Sequence, residues 1–187
     1  MMDGCDGLAG SLVGLAVLAL LYFGSIQFDY SMQFLLLLLF VTILVFLFFN
    51  FSNNPNFKIF LGDGGSMFLG FAISALLVKF ADGNTTRSPS IVLWFVAVPV
   101  YDFFAVVAFR LILKRKIMLA DRSHLHHYLL SNGRSHFQVT TIILFTAIVL
   151  LCLGVFLEAN YPSLSLPTFL GLFTVYLSLR FLKHIDC

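Results

Sequence analysis

The sequence predicts an all-α, polytopic integral membrane protein of about six spanning helices joined by short loops. Three observations predict it. Hydrophobic residues make up 60% of the chain and charged ones 11%, against about 45–50% and about 25% in soluble domains. The apolar residues gather in runs close to the roughly 20 residues that a helix needs to cross a bilayer. Lys and Arg concentrate in alternate connections, as in a chain threaded back and forth through a membrane. This composition excludes a soluble globule, and a net charge of +2 is too small to suggest nucleic acid.

The first run, Leu8–Gly24, follows an acidic, glycine-rich start rather than a basic leader, so no cleavable signal is evident. The second is Gln33–Phe51 and the third, Ser66–Phe80, is short, with Lys79 near its outer end able to snorkel. The fourth, Ile91–Leu113, contains Pro99, which removes an N–H and bends a helix. It also contains Asp102. A carboxylate at that depth costs about 2.5–3.5 kcal/mol on insertion scales and usually faces the protein interior. Asp102 reads equally as a structural hydrogen-bonding group beside a kink and as a functional one. The fifth run is Val139–Leu157 and the sixth Leu166–Leu182. No internal repeat or linker separates them, so residues 1–187 read as one membrane domain. Cys5, Cys152 and Cys187 show neither disulfide nor metal spacing and read as reduced thiols.

The loop after the fourth run holds Lys114, Arg115, Lys116, Arg122 and Arg134, the second-to-third connection holds Lys58, and the tail holds Lys183 beside Arg180. The opposing loops, 25–32, 81–90 and 158–165, carry little positive charge. The positive-inside rule therefore predicts cytoplasmic termini for this chain and cytoplasmic even-numbered connections. Three polar islands fall on that side: Met2-Asp3-Gly4-Cys5-Asp6-Gly7, Phe60-Leu61-Gly62-Asp63-Gly64-Gly65-Ser66 and Asp121-Arg122-Ser123-His124-Leu125-His126-His127.

Each island has a plain reading and a chemical one. Asp3 and Asp6 share a face if their segment is helical, and glycines let a ligand approach the backbone; acids before a helix are also ordinary caps. Gly62 to Ser66 opens the third run, where glycines expose N–H groups to an anion and Asp63 can hold Mg²⁺ together with substrate phosphates. A flexible turn with Asp63 as cap is the alternative, and no Lys-Ser/Thr follows to make a Walker loop. In the third island histidines can carry protons near neutral pH, and His124 and His127, but not His126, share a face if helical. Arg122 offers a fork to phosphate. A solvated loop and a zinc site are the other readings; no Cys lies near, and the remaining candidate ligands are hard oxygens. The Asn84-Thr85-Thr86 sequon is a weak three-residue match.

Taken together, Met2-Asp-Gly-Cys-Asp-Gly-Leu-Ala, Lys58-Ile-Phe-Leu-Gly-Asp-Gly-Gly-Ser-Met-Phe-Leu-Gly-Phe and Asp121-Arg-Ser-His-Leu-His-His resemble the polyprenyl-phosphate N-acetylhexosamine-1-phosphate transferases, in order and spacing. The His-Leu-His-His form looks closest to the undecaprenyl-phosphate GlcNAc-1-phosphate branch, related to the phospho-MurNAc-pentapeptide translocase. The resemblance implies transfer of a sugar 1-phosphate, GlcNAc-1-phosphate by this match, from a UDP-sugar to undecaprenyl phosphate. UMP is released at the cytoplasmic face of a bacterial inner membrane, in cell-envelope polysaccharide synthesis. It implies Mg²⁺, or Mn²⁺, on Asp63. It places Asp3 and Asp6 in the nucleotide-sugar pocket, Phe60 on uracil, and His124, His126 and His127 on diphosphate or sugar with Arg122 nearby. Asn50 and Asn53 both suit the family's asparagine. The family's adjacent Asp pair has no counterpart in this chain, so the resemblance implies the C-terminal part of a longer enzyme. Expected partners are the UDP-sugar, undecaprenyl phosphate and the bilayer; a homodimer is left open. The alternatives are a truncated, inactive homologue and, in a different class, a small transporter using Asp102 and the histidines.

Overall fold

The computed structural model describes residues 5–25, 27–52, 54–83, 88–112, 114 and 124–185, with side chains to residue 182. The described residues are helical without strands: α1 Leu8–Phe23, α2 Tyr30–Asn50, α3 Gly62–Gly83, α4 Ile91–Phe95, α5 Ala97–Ile112, α6 Leu125–Ser131, α7 His136–Asn160 and α8 Pro162–Ile185. Among them α2, α3, α7 and α8 are long and apolar enough to cross a membrane, while α1 is shorter at 16 residues. Large apolar side chains such as Phe34, Phe48, Phe71, Phe145 and Leu179 lie on the outside. Such an exterior suits hydrocarbon, and helices satisfy their own backbone groups there.

The expected runs correspond to these rods, with several differences: α2 starts three residues early, at Tyr30, and the short α6 is not among those runs. The fourth is broken, because Pro99 has no N–H and its ring collides with the carbonyl four residues back, that of Phe95. Helix α4 ends at Phe95, Val96 turns (φ −126°, ψ 28°), and the ladder resumes with Val100 N–H donating to Val96 O (3.1 Å). The third is longer than expected: Gly62, at φ +67°, admits the chain into α3 one turn early, and Asp63 sits in the first turn, where a carboxylate complements the helix dipole. The fifth starts at His136, where Ser135 and Gln138 form a capping box. The sixth starts at Pro162, a residue suited to the first helical position.

Helix α1 is the centre, packing on α2, α3, α4 and α7. Its small residues allow this: a Cβ on Gly10 would press on Leu47 and Phe46 of α2, and Gly14 faces Ile43. On the other side Gly154 of α7 leaves room for Trp94, whose Nε1–H donates to Ser165 Oγ (3.0 Å). Cys5, His136, Gly7, Asn50, Lys58 and Thr140 are linked at one end of the bundle. Gln27 with Phe80 and Ser90 with Glu158 close the other.

Candidate functional site

Asn50, the last residue of α2, joins the first two islands. It is 4% exposed; its Oδ1 accepts from Gly7 N–H and its Nδ2 donates to Ile59 O (2.7 Å). Gly7 takes φ +70°, and a Cβ there would run into the Phe51 ring. Lys58 reaches Asp6 at 2.6 Å and lies 5.5 Å from the centroid of the exposed Phe60 ring. Removing the Asn50 amide leaves a buried N–H and C=O unpaired, a loss of about 1–3 kcal/mol. Asn50→Ala should therefore lower the melting temperature in detergent; an unchanged melting curve would show that the two turns hold together without it.

The first turn also meets α7 and α6. Thr140 Oγ1 donates to Asp6 O (2.7 Å), and Cys5 Sγ donates to His136 O (3.4 Å). Burial pushes the Cys5 thiol up, with Asp6 adding and the Thr140 hydrogen bond opposing, so it stays a neutral packing group. Cys5, Leu8 and Leu12 pack in one cluster with Val139 and Ile143 of α7, against which Leu125, Leu129 and Leu130 of α6 also lie.

In α6 the three imidazoles are brought together, although not as spacing predicts. His124 is the extended N-cap (φ −66°, ψ 150°), so it is not on a helix face shared with His127. Its ring instead lies near-parallel to that of His126, centroids 5.8 Å apart, and His126 meets His127 at 4.2 Å. His126 is 1% exposed and neither ring nitrogen has a hydrogen-bond partner among the described residues. Burial pushes its imidazole down to about 4, with His127 and His124 adding and Asp102 opposing.

Asp63 is exposed on the first turn of α3, and no side chain among the described residues engages its carboxylate. Added Cβ atoms at Gly62 and Gly64 would meet nothing within 4 Å, so a ligand can approach the backbone closely. One exposed carboxylate on an open turn is a hard-oxygen donor of the kind that Mg²⁺ and Mn²⁺ accept. No cluster of three or more His, Cys, Asp or Glu that could hold a metal exists among the described residues. Beside Ser66 and Met67 an apolar groove of about 470 Å³ runs between α1, α3 and α5 toward Phe103 and Phe104.

Asp6 occupies a turn ahead of α1 rather than a helix, so the shared-face argument for Asp3 and Asp6 does not apply. Asp3, Asn53 and Arg122 lie outside the described residues. Asn50 makes two side-chain hydrogen bonds, to Gly7 and to Ile59. Sequence reasoning assigned no site role to Lys58 or Thr140, and it left Asp102 open. Lys58 stands two residues before Phe60 in the second quoted motif, which is the one signal that could have found it.

Residues 1–81 match the family described as glycosyl transferase family 4. The chain is 31% identical over 189 aligned positions to the probable undecaprenyl-phosphate N-acetylglucosaminyl 1-phosphate transferase of Bacillus subtilis, covering 99% of this chain and 49% of that protein. It is 30% identical to the undecaprenyl-phosphate alpha-N-acetylglucosaminyl 1-phosphate transferase of Yersinia pestis (83% and 43%) and 31% identical to that of Haemophilus influenzae (89% and 47%). The chain thus spans about half the length of the curated relatives it matches. No solved structure matches it. With the family match on its first 81 residues and almost its whole length aligned to about half of these relatives, the chain is similar to members of glycosyl transferase family 4.

Proposed function

We propose that the chain carries a sugar-1-phosphate transferase site. GlcNAc-1-phosphate would pass from UDP-GlcNAc to undecaprenyl phosphate on the cytoplasmic face of a bacterial inner membrane, releasing UMP for the synthesis of envelope polysaccharide. The observation that carries this reading is that the acidic turn is tied at one end of a helical bundle to Lys58 and, through Asn50, to Ile59, just ahead of the Asp63 turn, and shares an apolar cluster with α6, which bears the histidines. The positive-inside rule assigns that end to the cytoplasm. The names of the relatives supply the lipid acceptor and the sugar.

In this reading an oxygen of the lipid phosphate attacks the phosphorus next to the sugar. A P–O bond forms there while the P–O bond to UMP breaks. Two anionic substrates repel, so the site's task is positioning and charge neutralisation. Asp63 would hold Mg²⁺, which when bound draws the phosphate oxygens together and offsets their charge. Phe60 is free to stack on uracil, with Lys58 beside it to meet phosphate. Asp6, tied to Lys58, and Asp3 would line the nucleotide-sugar pocket. His126 can donate one hydrogen bond and accept another, and with His124, His127 and Arg122 it would contact diphosphate or sugar. The apolar groove beside Ser66 suits the first isoprene units.

A transporter would need polar groups at mid-depth in several spans. Here the buried Asn50, His126 and Thr140 lie at one end and Glu158 and Ser165 at the other, and Asp102 is already engaged by His124. Proteoliposomes holding the full chain, given Mg²⁺, labelled UDP-GlcNAc and undecaprenyl phosphate, should yield labelled lipid and equimolar UMP. If no product forms and UDP-GlcNAc does not bind, the proposal is lost.

A further inference from the structure

The buried Asp102 carboxylate, 1% exposed on α5, stands where α5, α6 and α8 converge. Its Oδ2 is 2.9 Å from His124 Nδ1. Its Oδ1 accepts from Leu125 N–H at 2.9 Å and from the Tyr176 hydroxyl of α8 at 3.3 Å. We infer that Asp102 is a positioning residue, which holds His124 in the Nδ1–H form, docks the start of α6 and thereby sets where His126 and His127 stand.

Two features carry this. The first amides of a helix have no intrahelical acceptor and call for a cap. The His124 side chain makes no capping bond, and Leu125 N–H is satisfied instead by a carboxylate 23 residues away on another helix. The cap of α6 is therefore supplied by α5, and losing it would release the segment rather than merely fray it. A second tie runs from α8, where the Arg180 guanidinium lies 5.8 Å from the Tyr128 ring.

The other feature is proton bookkeeping. Oδ1 accepts from both Leu125 N–H and the Tyr176 hydroxyl, as an ionised carboxylate does, and an ionised Oδ2 can only accept, so the His124 Nδ1 must donate. This holds whether the imidazole is neutral or charged. Only Nε2 can then gain or lose a proton, accepting a hydrogen bond when bare and donating one when protonated. Asp102 thus turns a two-ended residue into one with a single reactive nitrogen. Its bearing on catalysis rests on the transferase reading; the docking and the tautomer do not.

The full chain in detergent, labelled with ¹⁵N-histidine, tests this directly, the His124 signals being assigned by their loss in His124→Gln. The wild type should show a protonated Nδ1. In Asp102→Asn the side-chain oxygen still accepts from Leu125 N–H, leaving the amide NH₂ to face His124. His124 Nδ1 must then become an acceptor, and the proton should move to Nε2. A purely structural role for Asp102 does not move that signature.

Docking is read by diethyl pyrocarbonate with mass spectrometry, the exposed His136 serving as internal control. His126 should react slowly in the wild type and in Asp102→Asn. In Asp102→Ala its rate relative to His136 should rise by at least about tenfold, as expected when lost hydrogen bonds raise a local opening equilibrium. A wild-type His124 protonated on Nε2, an unchanged signature in Asp102→Asn, or His126 modified as fast as His136 in the wild type would each overturn the inference. None of these readouts needs turnover. A chain with the expected tautomers that neither binds UDP-GlcNAc nor releases UMP would sink the transferase reading and leave the positioning role standing.

Discussion

Asp63→Asn will cut UMP release by at least about a hundredfold, the scale on which removal of one electrostatic group from a transfer site is felt, and will leave the protein folded. The side chain is exposed and has no side-chain partner among the described residues, so the substitution breaks no packing. What it removes from the fold is one favourable charge in the first turn of α3, worth about 0.3–1 kcal/mol. The two halves of this expectation depend on each other. In the transferase reading, a group with almost no structural work, placed on a glycine-flanked turn beside an apolar groove, would have its value in what it binds. An amide keeps the size and loses the charge that a hard divalent cation requires. Activity measured against Mg²⁺ concentration, with the melting temperature taken in parallel, checks both. Turnover near the wild-type level would take Asp63 out of metal binding, and a large drop in melting temperature would show it holding the turn.

Why some of this site is legible in sequence and some is not follows from how far each contact reaches along the chain. Apolar run length marked the rods, and the Gly and Asp clusters marked the turns at their ends, because both are local patterns. Pro99 was visible, and its consequence, two helices in place of one, needs only the carbonyl four residues back. The links that make a site are non-local. Asp6 meets Lys58 across 52 residues, Thr140 meets Asp6 across 134, and Tyr176 meets Asp102 across 74. No periodicity encodes those pairs. Spacing alone even misleads in the third island. His124 and His127 are three apart, but the cap geometry of His124 puts its ring on the His126 side. Asp102 was noticed as costly and left undecided, since its partner, His124, lies beyond the end of its own helix.

The second large effect is on stability against acid, and it comes from His126. In the unfolded chain its imidazole titrates near 6.5; in the folded protein burial holds it down to about 4. Between those values the unfolded state binds more protons than the native one, so stability rises with pH across that window and is lost as pH falls through it. Above about pH 7 both states become neutral at this residue and the full stability is present; the loss is complete only below about pH 4. At about 1.36 kcal/mol per pH unit, the whole interval is worth roughly 3 kcal/mol. His126→Phe keeps a ring in the same apolar surroundings and deletes the titration. It should match or exceed the wild type in melting temperature at pH 7 and flatten the decline between pH 7 and pH 5. The variant should also lose most of the proposed transferase activity, because the two ring nitrogens without partners among the described residues are those a sugar or diphosphate would satisfy. An unpaired buried polar group costs stability until something pairs with it. For the same reason UDP-GlcNAc should raise the melting temperature of the wild type more than that of His126→Phe. Equal pH slopes in the two proteins would show that His126 is not held neutral by the fold. Equal stabilisation by UDP-GlcNAc would show that its nitrogens do not meet the ligand.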